Sequence, residues 1–411
     1  MHSFLRKSFF EYLVFAFLIL FVGKGTTFIN VLHPGTLQWL PFFILFLYLI
    51  LNKKIYISGY SAWVIILFIY LFWCMATALW SVQQMISLPK SIMFALLVLT
   101  MIWAGQLWVV RLGYEKCMSY LFPLLIITLI SGLLGAHVKN AYEGLEGRYM
   151  GLSGGTNNFG FLAATISSLI LWQLYRARWD RFRSIFWGML FLFDVRFLLM
   201  SHSRSATALL CVVLYFFIIS LSVSKKIFIA TSALFLLTTG LLIIPITQLE
   251  VAIFQYVNKD YGKIHVLDSE KIFHSRQDVW EKSYKLAMKG GLYGVGFGAD
   301  IAATNSTKKS QREKGNSQLA IIEETGWVGF ILYCLLLLSF YLYSILFYLR
   351  QNGAKKVAMG LMLGAISGLL VESIVEAWWD SLGPETGCFW ILVGAVIGMK
   401  YLERKRDIAE C

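Results

Sequence analysis

Residues 250–325 read EVAIFQYVNKDYGKIHVLDSEKIFHSRQDVWEKSYKLAMKGGLYGVGFGADIAATNSTKKSQREKGNSQLAIIEET and form the only long hydrophilic interval in a chain that otherwise alternates apolar runs with short connectors. A bilayer positions apolar runs by itself, whereas a polar excursion of this length beside a membrane needs a reason. The expectation is a polar reaction chamber at one membrane face, built by this loop and the helix ends beside it.

Apolar residues make up 58% of the 411 and charged residues 14%, against about 25% charged in a soluble domain. The chain therefore reads as an integral membrane protein. Crossing a hydrocarbon core takes ~20 apolar residues. Twelve runs fit, at 9–31, 37–51, 62–80, 91–110, 117–136, 159–175, 184–201, 205–223, 227–249, 327–349, 355–375 and 387–402. Those at 37 and 184 are short, so the expected fold is an all-α polytopic bundle of ten to twelve transmembrane helices. It divides into nine helices over 1–249, a large, partly helical periplasmic loop over 250–326, and three helices with a cytoplasmic tail over 327–411. The first run follows Arg6 and Lys7 as a signal peptide would, but no small-residue cleavage site follows it, and it reads as a retained helix.

The net charge of +13 invites a nucleic-acid reading, so the placement of the 36 cations decides its meaning. Lys53 and Lys54, Arg111 and Lys116, the Arg176 to Arg183 cluster, Lys225 and Lys226, Arg350 with Lys355 and Lys356, and the tail from Lys400 alternate onto one side. That side is cytoplasmic by the positive-inside rule, and both termini join it. The charge thus orients helices and implies no nucleic acid. The connector 137–158, the Ser203-Arg204 turn, the large loop and the acidic connector from Glu372 to Glu385 share the opposite face. Four of the six cysteines (Cys74, Cys117, Cys211 and Cys334) lie in or at the edge of apolar runs. The absence of CxxC or metal-ligand spacing argues against a disulfide framework or a zinc site.

Within the loop, Ser275-Arg276-Gln277-Asp278 has the form of a capping box, which places Ser275 at an N-cap. Val279, Trp280, Ser283, Tyr284, Ala287 and Met288 then recur on one helical face, and Gly290-Gly291 ends the helix. A second short helix is expected from Asn316 or Ser317 through Thr325, feeding through Gly326 into the span that begins at Trp327.

An arginine fork suits phosphate, and a helix N-terminus adds free amide donors. Arg276, in the first turn of the expected loop helix, combines both. Arg204 lies in a turn, Ser203-Arg204-Ser205-Ala206, at the depth of a lipid diphosphate head group. Arg148 precedes a Gly/Asn-rich run, Gly154 to Gly160, that enters a helix. Each has an equally good structural reading, as a snorkelling cation or the partner of an acid. Asp194 and Arg196, inside the run at 184, are costly at membrane depth and point to different sides of their helix.

In order, Arg148-x-x-Gly151 with Asn158 and Gly160, Ser203-Arg204-x-Ala206, Arg276-x-x-x-Trp280, Gly294-Val295-Gly296-Phe297-Gly298, and Asn316 with Gly326-x-x-Gly329 resemble the bacterial O-antigen ligase and O-antigen polymerase family. The resemblance covers about residues 140–335. It implies a GT-C-like membrane glycosyltransferase in the bacterial inner membrane with its active site facing the periplasm. Such an enzyme takes a glycan from an undecaprenyl diphosphate carrier, and uses arginines and no metal or other cofactor at the diphosphate. Arg148, Arg204 and Arg276 would hold that diphosphate, and Asn158, Trp280, Asn316 and Trp379 would contact the donor or acceptor glycan. The ligase branch has a His before the position of Asn316; here that position is Gly315, which cannot accept a proton.

Positive charge on the departing diphosphate lowers the barrier, and a carboxylate or imidazole can take the acceptor's hydroxyl proton. Candidates for the latter are His274, Glu323, Glu324, Glu372 and Glu376, with Arg276, Glu324 and Glu376 the catalytic set. Glu324 stands beside the Gly326-x-x-Gly329 turn. Glu376 precedes Trp378, Trp379 and Asp380, which could stack a sugar ring or, alternatively, form an interfacial aromatic belt. No D-x-D motif is present, which argues against a nucleotide-sugar enzyme holding its donor through a metal. The readings are, in order, a polymerase of lipid-linked repeat units of a surface polysaccharide, a ligase joining a finished glycan to lipid A core, and a flippase or exporter of lipid-linked glycans.

Overall fold

The computed structural model describes residues 2–23, 39–52, 60–135, 142–143, 148–153, 155–221, 269–300 and 314–410. The helices are α1 (His2–Gly23), α2 (Trp39–Asn52), α3 (Ser61–Ala76), α4 (Gln84–Leu112), α5 (Phe122–Gly135), α6 (Thr156–Ala177), α7 (Arg181–Ser201), α8 (Arg204–Leu221), α9 (Ser269–Lys289), α10 (Ser317–Leu349), α11 (Gly353–Glu372) and α12 (Pro384–Glu410). The strands described are β1 (Tyr142–Glu143) and β2 (Arg148–Tyr149), an antiparallel pair with Glu143 opposite Arg148.

Eight helical segments among the described residues are long and apolar enough to cross a membrane, and they make this a multi-pass membrane protein. They take in α3 to α5, α7, α8 and α10 to α12; two shorter apolar helices lie at Phe9–Phe21 and Trp39–Asn52. The expected span at 227–249 lies outside the described residues, as do the loop from 250 to the start of α9 and the stretch 301–313. The run at 159–175 is helical within α6, but it is buried along nearly its whole length and carries Thr165, Ser167 and Ser168 inside. It is a core helix more than a lipid-facing one.

Contacts divide the chain into two units. Unit 1 comprises residues 1–45, 118–275 and 352–368, and unit 2 comprises 46–117, 276–351 and 369–411. In unit 1, Tyr149, Phe159 and Phe197 form a buried cluster with Leu129 and Met200 against it. The Tyr149 and Phe159 rings meet edge to face at 5.5 Å, a geometry that adds to the burial of their area. Asp194 is buried and accepts a 2.5 Å hydrogen bond from Ser167, while Arg196 is exposed, so the two do part to different sides of α7.

In unit 2, α4 and α12 pack backbone to backbone: a Cβ on Gly394 would overlap the Ile102 carbonyl, and one on Gly105 would overlap that of Ile391. Small residues allow this approach where no hydrophobic force holds helices together in lipid. Beside them, α3 meets α10 through Tyr60, whose hydroxyl lies 3.0 Å from that of Ser344.

One local expectation fails. Helix α9 begins at Ser269, so Ser275 lies inside it and is not its N-cap. Glu270 to Phe273 contain no breaker, and a Ser-x-x-Asp pattern caps a helix only where the chain before it leaves helical geometry. The helix ends where expected, with Gly291 at φ +59°.

Candidate functional site

The site in unit 2 is organised by a break in α10. Asn316 caps the helix, its side-chain oxygen accepting from the Leu319 N–H at 2.8 Å. Nine residues of helix later, Gly326 adopts φ 71° and ψ −177°, a conformation essentially restricted to glycine, and the helix resumes in a new direction. Such a break frees backbone groups that lipid cannot satisfy. The Gly290–Gly298 segment satisfies them. Trp327 N–H donates to Gly291 O and Val328 N–H to Leu292 O, both at 3.1 Å, while Val295 and Gly296 N–H donate to the carbonyls of Glu323 and Glu324 at 3.0 Å. The Thr325 carbonyl accepts from the Trp73 indole at 2.9 Å.

This arrangement buries four charged side chains together. Glu324 is 1% exposed; its carboxylate accepts the Gly298 N–H at 2.7 Å and pairs with the Lys314 ammonium. Lys314 also donates to the Ala299 carbonyl at 3.2 Å. Lys90, near the start of α4, lies 2.7 Å from Asp380 and 5.9 Å from the centre of the Phe297 ring. The ammonium groups of Lys90 and Lys314 each act on both Asp380 and Glu324, which joins the two pairs into one quartet. Lys90, at 21%, is its most exposed member.

The electrostatics follow from this geometry. Burial disfavours the charged form of Asp380, but the ammonium groups of Lys90 and Lys314 outweigh it and hold the carboxyl well below its ordinary range. Burial likewise works against the Lys314 charge, but the carboxylates of Glu324, Asp380 and Glu323 outweigh it and hold the ammonium above its ordinary range. Removing ions from water costs several kcal/mol each, and pairing does little more than offset this. Stability alone does not account for four charges buried here, and perturbed groups of this kind concentrate at functional sites.

In unit 1 the other motif residues gather. A Cβ on Gly160 would stand 2.6 Å from that of Ser203 and 3.1 Å from that of Ala206. The Gly/Asn-rich entry to α6 therefore packs on the Ser203-Arg204 turn that opens α8. Arg148 and Arg204 are half-buried, and Asn158 is exposed on the first turn of α6. Arg204 belongs to unit 1 and Arg276 to unit 2. Arg276 lies on α9, and its side chain, like that of His274, is outside the described residues.

The remaining expected residues divide between chemistry and scaffold. Glu323 and Glu324 are both buried in the broken helix, with Glu324 in the quartet. Trp280 donates its indole N–H to the Gly315 carbonyl at 3.0 Å, and the Asn316 amide donates to Ile374 O at 2.8 Å, so both side chains brace the loop. Trp379 does not fit a sugar platform. It is fully buried, donates to the Tyr70 hydroxyl at 2.8 Å, and packs against Tyr333, Phe389 and Trp390. Trp378 is 3% exposed, so the pair forms no interfacial belt either. The Glu376 carbonyl accepts from Ser317 at 3.1 Å, with its carboxylate half-buried.

Lys90, Lys314 and Asp380 are the members that sequence reasoning passed over as functional residues. Lys90 reads as a connector cation after Pro89, and Lys314 as one of many loop cations; only its place beside Gly315 hinted at more. Gly315 itself is required: it has φ +66°, and a Cβ there would stand 2.5 Å from Val279 Cγ1. No group of three or more His, Cys, Asp or Glu among the described residues is disposed to hold a metal. No known family profile matches the chain, and no curated protein matches it.

Proposed function

We propose that this protein is a GT-C-like membrane glycosyltransferase that polymerises repeat units of a surface polysaccharide, moving a glycan from an undecaprenyl diphosphate carrier to an acceptor sugar hydroxyl. The observation that carries the reading is the buried quartet of Lys90, Lys314, Glu324 and Asp380 at the break in α10; Lys314, Glu324 and the break itself lie inside the region where the sequence resembles the O-antigen polymerase and ligase family, and Lys90 and Asp380 join them from outside it.

In the reaction, the acceptor oxygen attacks the anomeric carbon, the bond from that carbon to the carrier diphosphate breaks, and the hydroxyl proton passes to a base. Glu324 is that base, and Asp380, kept ionised by two lysines, holds their ammonium groups beside it. Lys90, at the open edge of the quartet, faces the departing diphosphate, and Arg148, Arg204 and Arg276 are the further cations that the family resemblance assigns to it. Preorganised charge in a water-poor site contributes most to such a step. The active site faces outside the inner membrane, where lipid-linked repeat units are assembled. Polymerisation is favoured over ligation to lipid A core because Gly315 supplies no imidazole and its backbone excludes one.

Purified protein incubated with a defined undecaprenyl diphosphate glycan, alone and with lipid A core, tests this. Elongation without the core is expected; product only with the core makes the enzyme a ligase, and transport without bond formation makes it a flippase. Glu324→Gln is expected to slow elongation by about 10²–10⁴-fold, the usual range for a lost acid–base group. Arg204→Ala and Arg276→Ala are expected to leave protein in the membrane but no long chains; unchanged chain length in both ends the proposal.

A further inference from the structure

Apart from the quartet, unit 2 gathers three aromatic rings on the scaffold of the break in α10. Trp73 lies near the end of α3, Trp80 closes the short turn Thr77–Trp80 that follows it, and Tyr293 stands in the Gly290–Gly298 segment. The ring centres are 5.7 Å apart from Trp73 to Trp80, 6.2 Å from Trp73 to Tyr293 and 6.3 Å from Trp80 to Tyr293, so each ring is within contact range of the other two. The turn and the glycine-rich segment are tied together twice more: Val82 N–H donates to Val295 O and Phe297 N–H to the Thr77 hydroxyl, both at 3.0 Å. The rings therefore hold a fixed place on the segment whose Gly298 N–H meets Glu324.

Two of the rings are open to a ligand, Trp80 at 41% exposure and Tyr293 at 58%. Tryptophan at the end of a span commonly anchors in the headgroup layer with its N–H in the wet region. Here both indoles turn that group inward. Trp73 donates to Thr325 O at 2.9 Å and Trp80 to Tyr293 O at 3.3 Å, so the indoles present ring surface alone. Polar capacity beside them comes from other groups. Gln84, exposed at the start of α4, is fixed by donating its amide to Leu79 O at 2.9 Å. Its amide oxygen and the Tyr293 hydroxyl make no hydrogen bond among the described residues. A hydrocarbon chain laid on this surface would cover both groups without satisfying them, at a cost in free energy. A pyranose uses both kinds of surface: its C–H bonds, which carry partial positive charge, pack on the negative face of an aromatic ring, and the hydroxyls at its rim reach an amide and a phenol.

We propose that Trp80 and Tyr293, braced by Trp73, stack against a pyranose ring of the lipid-linked glycan, with Gln84 and the Tyr293 hydroxyl bonding its hydroxyl groups. This rests on the glycosyltransferase reading and gives it a sugar subsite in place of the one expected at Trp379.

The test titrates the full-length protein in phosphatidylcholine nanodiscs with undecaprenyl diphosphate and with undecaprenyl diphosphate N-acetylglucosamine, and compares the two dissociation constants. The sugar-bearing lipid is expected to bind more tightly. Trp80→Ala and Tyr293→Ala are each expected to weaken its binding by about three- to tenfold, the scale of one lost aromatic contact, and to leave the sugarless carrier unchanged. Trp80→Phe keeps a ring but loses the indole N–H, and is expected to retain most of the gain from the sugar; a loss as large as that of alanine makes Trp80 a brace and overturns its stacking role. Tyr293 is exposed on a loop, so its variant carries the test where Trp80→Ala fails to fold. Equal affinity of the wild type for both lipids, equal weakening of both in the variants, as a lipid-facing surface gives, or unchanged binding in the folded variants overturns the proposal. Binding is read without transfer, so a gain from the sugar in a protein inactive in elongation overturns the enzyme and not the subsite. Elongation without that gain does the reverse.

Discussion

Lys90 and Asp380 come from segments almost three hundred positions apart and meet at 2.7 Å with little water around them. Breaking a buried pair strands one charge, whereas replacing both members with apolar groups of like volume is often neutral. Lys90→Ala and Asp380→Asn are each expected to destabilise unit 2 by about 3–5 kcal/mol, and Lys90→Met with Asp380→Leu by much less, as read by chemical unfolding in nanodiscs. Additive losses in the double variant would mean that the two do not couple. The pH dependence has two signs. Asp380 is depressed in the fold, so its contribution is present above the ordinary carboxyl value of 3.8 and lost as pH falls through its folded value. Lys314 is raised, so its contribution is complete below 10.5 and lost as pH rises through its folded value. The contributions of Asp380 and Lys314 are therefore both complete between pH 3.8 and 10.5, and the wild-type advantage over Asp380→Asn in unfolding midpoint is expected to be lost as pH falls below 3.8 through the folded value of Asp380.

At the scale of elements, the broken helix α10 and the glycine-rich segment beside it act as one unit, because each satisfies the other's backbone. Gly326→Ala would force a Cβ into the Leu292 carbonyl at a φ that alanine avoids, and is expected to cost about 3 kcal/mol or more. Gly188 in α7 is the contrast: a Cβ there meets nothing within 4 Å, so Gly188→Ala is expected to be neutral or to stabilise by about 0.5–1 kcal/mol. Equal losses for the two would show that the break in α10 is not under strain from its partner segment. Gly315 belongs to the same argument, since its positive φ and the contact of its missing Cβ with Val279 leave no room for a histidine.

For the whole molecule, the expectation is a single sidedness. If the connectors follow their cations, Leu292 and Ile374, 61% and 46% exposed, face outside, and Trp179, 87% exposed between α6 and α7, faces the cytoplasm. In a cysteine-free background, Leu292→Cys and Ile374→Cys should react with an impermeant maleimide on intact cells, and Trp179→Cys only after permeabilisation. The opposite pattern would turn the quartet toward the cytoplasm and remove the outward-facing active site. Membrane residence, the positions of most spans, the Asn316 cap and the turn at Gly326 were legible in the sequence, since hydropathy, capping and glycine's backbone freedom act over a few neighbouring residues. The quartet, the burial of Trp379 and the meeting of Trp73, Trp80 and Tyr293 were decided only in three dimensions. Charge pairing and burial depend on which distant segments meet, and an isolated Lys90 or Asp380 carries no local signal of the partner that the tertiary structure gives it.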